Sequence, residues 1–99
     1  MKSRFYLETS ALDNERIKSF VKEYFNYDYD GLFEYEKLFD TEGYYTVWSD
    51  YDEDMIKISR NFKDVLFTLT VQNMDTLKYM YLNGSVVKKF KGIMAFIEV

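Results

Sequence analysis

The hydrophobic and polar positions follow two different periods along the chain, and together these periods predict a mixture of helices and strands. The clearest helical pattern is one apolar stripe at i, i+3, i+4, i+7 and i+8, formed by Ile17, Phe20, Val21, Tyr24 and Phe25. It predicts an amphipathic helix over Asp13–Phe25, with Ser10 or Asp13 as its N-cap and Asn26 as its C-terminal stop.

Strand patterns lie on both sides of this helix. Arg4–Thr9 is rich in residues that fit a pleated surface, and Tyr44–Ser49 has the same character. Val65–Gln72 alternates its side chains between two faces, which is typical of a half-buried strand. Ile93–Val99 is mostly apolar and predicts a last strand.

The dipeptide Asn83-Gly84 lies between two strand-like runs and predicts a hairpin with a two-residue turn. Gly92 is predicted to mark a bulge or a bend further along. A regular ladder on this turn pairs Tyr81 with Val86, Tyr79 with Lys88, and Lys78 with Lys89. One face of the hairpin would then carry Tyr79, Tyr81, Lys88 and Phe90.

Two further helical pieces are predicted between the strands. Asp30 would cap a short one, whose apolar positions are Leu32, Tyr35, Leu38 and Phe39. The spacings Ser49–Asp52 and Asp50–Glu53 both match a capping box at the start of a longer helix. The apolar face of that helix would consist of Met55, Ile58, Ser59 and Phe62.

This order of elements predicts an α+β domain over residues 1–99. Two main helices on one face of a mainly antiparallel sheet give the simplest two-layer sandwich, and a ferredoxin-like arrangement is the nearest named form. An exposed final strand would permit a homodimer through the sheet edge.

Composition removes several kinds of chemistry. The chain has no cysteine and no histidine, so it lacks thiolates, disulfides and the commonest general base. We therefore expect no enzyme and no cofactor; an enzyme of this composition would need carboxylates and a divalent metal. The acids from Asp50 onward lack the glycine and glutamate that a calcium loop requires, so no metal site is expected. No signal peptide or membrane span is predicted, which favours a cytoplasmic location.

Charge is distributed very unevenly. Residues 23–54 contain eleven acidic residues and one basic residue, Lys37, which gives −10, although the whole chain carries only −4. Such a stretch is either a solvated face with acids at a helix start, or a surface for a basic partner. The second interpretation predicts these partner-binding residues: Asp28, Asp30, Glu34, Tyr35, Glu36, Asp40, Glu42, Asp50, Asp52, Glu53 and Asp54.

The hairpin provides a second candidate surface. Aromatic rings and lysines on one sheet face form stacking platforms in proteins that bind single strands. Tyr79, Tyr81, Lys88 and Phe90 have this character, although the same face is also the natural one to lie under the helices. Because the net charge is negative and the basic residues form no larger cluster than Lys88, Lys89 and Lys91, no direct nucleic acid binding is expected.

Three motifs resemble one family. They read W-S-D-Y-D-E-D-M at 48–55, S-R-N-F-K-D-V-L-F-T-L at 59–69 and K-Y-M-Y-L-N-G at 78–84. Together they resemble the YubB-type ferredoxin-like domains, small proteins of phages, plasmids and bacteria. Two departures are Lys63, where the family pattern has proline, and a short loop after Val71. The matched apolar residues are interpreted as core and strand positions: Trp48, Phe62, Val65, Leu66, Phe67 and Leu69.

The resemblance implies a fold and an origin in a mobile element, and it carries over no catalytic residue. Combined with the acidic stretch, it predicts a small inhibitor of a basic, nucleic-acid-binding host protein. Such an inhibitor would act by nucleic-acid mimicry, in the manner of anti-CRISPR proteins. The alternative function is a module that binds single-stranded nucleic acid or another protein through the hairpin.

Overall fold

A computed structural model describes residues 2–92 and 97–98, with side chains for residues 2–92. The strands are β1 (Ser3–Thr9), β2 (Tyr44–Thr46), β3 (Phe67–Gln72), β4 (Thr76–Leu82), β5 (Ser85–Gly92) and β6 (Ile97–Glu98). The helices are α1 (Glu15–Asp28) and α2 (Tyr51–Arg60), and a short 3-10 helix spans Tyr35–Phe39.

The described strands form one sheet in the order β2-β1-β3-β4-β5-β6, and every neighbouring pair is antiparallel. The predicted α+β class and the mainly antiparallel sheet with two helices are therefore confirmed. The helix α1 connects two neighbouring antiparallel strands, while α2 leads from β2 across β1 to β3. This strand order does not confirm the ferredoxin-like arrangement.

The core lies on one side of the sheet because the strands alternate. Phe5 and Leu7 of β1 are 2% exposed, while Arg4 and Glu8 on the same strand are exposed. The inward side of β3 is formed by Phe67, Leu69 and Val71, as its pattern predicted. Both helices add their apolar stripes to this side, through Ile17, Val21, Phe25, Met55 and Ile58.

The ends of α1 differ from the prediction. The helix continues past Asn26 to Asp28, so Asn26 is not its stop. Asn14 occupies the N-cap without a side-chain capping bond, and Asp13 instead accepts a hydrogen bond from the Glu15 N–H at 3.0 Å. Ser10 is not a cap either, because its hydroxyl accepts the Leu66 N–H at 2.9 Å.

Between α1 and α2 the structure also differs from the predicted helix caps and strand end. Glu34, not Asp30, precedes the 3-10 helix, and Asp30 has a positive φ of 53° in the preceding turn. The second strand ends at Thr46 instead of Ser49. Asp50 occupies the N-cap of α2 without a side-chain capping bond, so neither predicted capping box forms. The three acids Asp52, Glu53 and Asp54 do lie in the first turn of α2, as expected.

The Asn83-Gly84 turn forms as predicted, but the ladder behind it is not regular. Tyr81 pairs with Val86, and the register then shifts at a bulge, so that Met80 pairs with Lys88. Tyr79 consequently faces Lys89, and Lys78 faces Phe90. The predicted pairs Tyr79–Lys88 and Lys78–Lys89 are therefore wrong, because a bulge lies near the turn. Whether the chain bends after Gly92 depends on residues outside the described ones. Of the predicted last strand, residues 93–96 and 99 lie outside the described residues.

The turn itself is attached to the end of α2. Gly84 has a φ of +82°, and its N–H donates to the buried hydroxyl of Ser59 at 3.0 Å. The positive φ favours glycine here, and a Cβ on Gly84 would lie 3.0 Å from Arg60 Nε, so that side chain would have to shift. Asn83 Oδ1 accepts the Asp64 N–H at 2.8 Å. These bonds fix the hairpin relative to α2.

Candidate functional site

The most highly connected polar side chain in the acidic stretch is Asp54, which is only 5% exposed. Its Oδ1 accepts the hydroxyl of Tyr24 at 2.6 Å. Its Oδ2 accepts the hydroxyl of Tyr29 at 2.5 Å and the indole N–H of Trp48 at 2.7 Å. We call Asp54, Tyr24, Tyr29 and Trp48 the Asp54 cluster. It joins the C-terminal end of α1 to the first turn of α2.

The tyrosines of the Asp54 cluster are held in the protonated form. Burial, followed by the hydrogen bond to Asp54, raises the pKa of Tyr24 far above its ordinary value. The same two causes raise the pKa of Tyr29. Both hydroxyls therefore remain hydrogen-bond donors at neutral pH. A buried carboxylate that accepts three donors is well satisfied, which favours a structural role.

Asp54 must be removed from the predicted partner-binding residues, because a buried side chain makes no surface contact. The sequence indicated a helix-start acid at this position but not its three donors. Those donors are 30, 25 and 6 residues away along the chain. The available signal was the seven tyrosines inside the acidic stretch, whose hydroxyls need acceptors when they are buried.

The other predicted acids are exposed, and part of them gather at the helix ends beside the Asp54 cluster. The charge of Asp28, after burial and Asp54, also raises the pKa of Tyr24. Asp50 acts likewise, after the same larger causes, on the pKa of Tyr29. Acids from both helices therefore share one locality. We call the exposed acids at these two ends the helix-end acids: Asp28, Asp50, Asp52 and Glu53.

The acids around the 3-10 helix have basic neighbours. Glu34 forms an ion pair with Lys37 at 3.1 Å. Glu36 and Asp40 line a groove of ≈ 360 Å³ between α1 and the 3-10 helix, together with Lys18 and Lys22. Half-buried Tyr35 lines the same groove, and Arg4 donates to the backbone carbonyl of Glu42 at 2.9 Å. This part of the acidic stretch is therefore partly neutralised, while Asp30 is exposed in the turn after α1.

The alternative hairpin platform does not form as predicted. Tyr79 and Tyr81 point towards α2: Tyr79 meets Tyr51 hydroxyl to hydroxyl at 3.2 Å, and Tyr81 is 0% exposed. Lys88 and Phe90 pair with Met80 and Lys78 and lie on the opposite side of the sheet. The four residues therefore do not share a face, because the bulge inserts one residue between Val86 and Lys88.

The uncovered side of the sheet carries a shallow groove of ≈ 470 Å³. Its lining comes from four neighbouring strands and the loops at their ends: Glu8, Thr9, Ser10, Leu66, Thr68, Lys78, Met80 and Phe90. Leu66, interpreted from the sequence as a core position, is half-buried at this groove. The groove combines an apolar floor with ionisable side chains of both signs.

Within the described part of the chain, no three acidic side chains are grouped closely enough to hold a metal ion. None of the described helices has the length and apolar character needed to cross a membrane. No protein-family model, curated protein or solved structure matches this chain.

Proposed function

We propose that this protein is a small non-enzymatic binding protein whose acidic surface engages a basic, nucleic-acid-binding protein. The helix-end acids form the centre of this surface, and Asp30, Glu34, Glu36, Asp40 and Glu42 extend it. The proposed partner belongs to a host defence system, and the protein comes from a phage or another mobile element. Its mode of action is nucleic-acid mimicry, as in anti-CRISPR inhibitors.

The observation that carries the proposal is the position of Asp28. This acid is the last residue of α1, and the last turn of α1 contains no basic residue. A helix C-terminus carries partial negative charge, so an acid there is unfavourable by about 0.3–1 kcal/mol. Stability explains acids in the first turn of α2, while at Asp28 an interaction with the Tyr24 side chain offsets part of the unfavourable dipole effect. An exposed acid at a position that the helix dipole disfavours is suited to a contact with a positively charged partner.

Mimicry follows from the physics of the partner's site. A protein groove that binds nucleic acid is lined with lysine and arginine for a closely spaced row of phosphates. Exposed carboxylates from the ends of two helices present similar charge on a rigid support. Such a surface accelerates association and loses affinity as salt screens the charges.

The experiment is a pull-down from bacterial lysate at low and at high salt, with identification of the retained proteins. The parent chain is compared with Asp28→Lys, with the double variant Glu34→Lys/Glu36→Lys, and with Asp75→Lys. Asp75 is exposed in the turn between β3 and β4, away from the helix-end acids along the chain, so Asp75→Lys is a charge-reversal control. We expect the parent and the control to retain a basic, nucleic-acid-binding protein at low salt and to lose it at high salt.

The two acidic-surface variants should retain less of that protein without losing stability. Glu34 makes only an exposed ion pair, worth about 0–1 kcal/mol, so the double variant should melt close to the parent. If both variants retain as much of the partner protein as the parent does, these acids form only a solvated face and do not bind the partner. Recovery of no basic partner from any lysate would contradict the proposal itself.

We further propose that the protein belongs to the YubB-type family and has its ferredoxin-like form. We also propose that it is cytoplasmic and forms a homodimer through a sheet edge. The motifs at 48–84 support the first two, and the absence of cysteine is consistent with a reducing compartment. The last strand, β6, lies at one edge of the sheet, and a sheet edge can pair with a second copy. Light scattering of the purified chain measures the oligomeric state.

A further inference from the structure

The side of the sheet that faces away from α1 and α2 is organised in rows. Strand pairing places Tyr6 of β1, Thr70 of β3, Lys78 of β4 and Phe90 of β5 directly beside one another. We call these four residues the central row. The two aromatic residues flank the hydroxyl and the ammonium group, and beyond Phe90 the pairing continues to Glu98 of β6. Because strands are about 4.8 Å apart, the two rings are separated by roughly 14 Å.

The rows on either side of the central row have related chemistry. One contains Tyr45, Arg4, Gln72 and Thr76, and the other contains Glu8, Thr68, Met80 and Lys88. Lys2 lies beside the first of these rows, 5.6 Å from the ring of Tyr45. The described side chains of this face therefore include four basic groups and one acidic group.

This charge is opposite in sign to that of the whole chain, which is −4. The acids of the protein concentrate at the helix ends and around the 3-10 helix, while this face concentrates basic groups among aromatic rings. Arg4 lies 5.4 Å from the ring of Tyr45, and Tyr45 itself is 56% exposed. The groove of ≈ 470 Å³ deepens the face around Lys78, Met80 and Phe90.

We propose that this uncovered sheet face binds single-stranded nucleic acid across the strands. Bases stack on Tyr6 and Phe90, and the phosphates between them lie near Lys78, Arg4 and Lys88. The hydroxyls of Thr68 and Thr70 and the amide of Gln72 supply hydrogen bonds to base edges or sugars. Stacking tolerates any base, so the expected binding has little sequence preference.

The basic groups and the aromatic rings of this face together determine which ligand it binds. Basic groups alone would also attract an acidic peptide, but such a peptide gains nothing from flat rings spaced across a sheet. Double-stranded nucleic acid hides its bases, so it could use the charges but not the rings. Only an unpaired strand uses both features. This site lies on a different surface from the acidic one, so the two proposals stand or fall separately.

The test is fluorescence polarisation of labelled single-stranded RNA and DNA of mixed sequence, titrated with the full chain at low salt. We expect a Kd of about 10⁻⁴–10⁻⁶ M, the range of non-specific binding. With about three phosphate contacts, the slope of log K against log salt should be about −2, since each contact contributes roughly 0.7. The RNA and DNA arms show which sugar is preferred.

Variants separate stacking from charge. Phe90→Leu keeps an apolar side chain but removes the ring, and it should weaken binding at least about five-fold, while Phe90→Tyr should restore it. Arg4→Gln should make the salt slope less negative by about 0.7. Lys63→Gln is the control for charge, because it removes one positive charge as Arg4→Gln does and Lys63 is exposed in the loop after α2; it should bind nearly as the parent does.

Three results would overturn the proposal. The first is no polarisation change with either nucleic acid at millimolar protein. The second is equal weakening by Lys63→Gln and by Arg4→Gln, which would indicate that only the overall charge matters. The third is full competition by poly-glutamate together with no effect of Phe90→Leu, which would indicate an acidic peptide as the occupant. Thermal melting of each variant verifies that the sheet is intact.

Discussion

The hydroxyl of Tyr81 donates a hydrogen bond to Asp52 Oδ1 at 2.8 Å and thereby ties β4 to the first turn of α2. Tyr81 is 0% exposed, while Asp52 is exposed. Burial, followed by the bond to Asp52, raises the pKa of Tyr81 far above its ordinary value, so the donor proton is retained. One of the helix-end acids therefore serves the fold as well as the surface.

Tyr81→Phe removes this donor and leaves the ring in place. Since hydrogen bonds to charged groups contribute about 1.5–3 kcal/mol and Asp52 can be rehydrated, we expect a loss near the lower value. Urea unfolding measures it. Asp52→Asn is the matched control because it keeps an acceptor and should cost less. Equal stability of Tyr81→Phe and the parent would mean that the bond contributes nothing in solution.

The Asp54 cluster should be the most sensitive polar site in the protein. Asp54→Asn replaces a carboxylate by an amide whose N–H groups face the donors Tyr24, Tyr29 and Trp48. A hydrogen bond to a charged group contributes about 1.5–3 kcal/mol, so weakening several of them removes a large part of the stability of a small domain. Asp50→Asn, at an exposed N-cap without a side-chain bond, should change stability by about 0.5 kcal/mol or less. Similar losses in the two variants would contradict the structural role of the cluster.

The buried tyrosines also predict how stability depends on alkaline pH. Burial first, and hydrogen bonding second, raise the pKa values of Tyr24, Tyr29, Tyr51 and Tyr81 above 10.0. Their stabilising contribution is complete below pH 10, where both states are protonated. Above pH 10 the unfolded chain loses these protons and the folded protein does not, so stability falls as pH rises.

Melting temperatures across this range should therefore drop steeply above pH 10, with up to four protons released on unfolding. These four tyrosines should ionise only when the protein unfolds. Their tyrosinate absorbance in the near ultraviolet should therefore rise together with unfolding and not before it. Tyr27→Phe is the control, since Tyr27 is 86% exposed and bonds to none of the cluster. A melting temperature that is constant up to strongly alkaline pH would contradict the burial of these hydroxyls.

The sequence predicted which residues of a single helix or strand face the core. It did not predict the contacts between segments that are distant along the chain. The period of the first helix identified Ile17, Val21 and Phe25, and the alternation of the third strand identified Phe67 and Leu69; all are buried. Each pattern depends only on which side of one element meets the core. The charge and length of the acidic stretch were equally predictable, because charged residues can be counted without knowing the fold.

The wrong predictions concern which face a side chain occupies and which distant residues it meets. A bulge beside Tyr81 reverses the faces of Lys88 and Phe90, because side chains alternate with period two and one extra residue inverts the rest of the strand. Nothing in the local sequence marks this bulge. Asp54 and its donors likewise meet only because two helix ends converge, which no spacing in the sequence encodes.

Disulfide trapping distinguishes the two registers directly, and the absence of native cysteine makes the experiment clean. Met80 and Lys88 are paired across the hairpin, so Met80→Cys with Lys88→Cys should oxidise readily. Tyr79→Cys with Lys88→Cys is the matched control, because these residues lie on opposite faces. Mobility on non-reducing gels after mild oxidation measures both. Faster oxidation of the control pair would restore the regular ladder and return Lys88 to the face of Tyr79.

Two charge reversals at the helix ends separate fold from function. Asp28→Lys replaces an acid at the C-terminal end of α1 by a base, which suits the helix dipole, so it should raise stability by about 0.3–1 kcal/mol. Glu53→Lys makes the same change in the first turn of α2, where the dipole favours an acid, so it should lower stability by a similar amount. Both variants change the net charge equally, so a general effect of net charge would change the stability of both in the same direction.

Urea unfolding at low salt measures both differences, and added salt should reduce them together. Opposite signs for the two variants would mean that the natural sequence keeps Asp28 at a cost in stability. The proposed partner surface then predicts weaker partner binding in both variants, whatever their stability. If Asp28→Lys destabilises the protein instead, Asp28 has a structural role and the main argument for the acidic surface is lost.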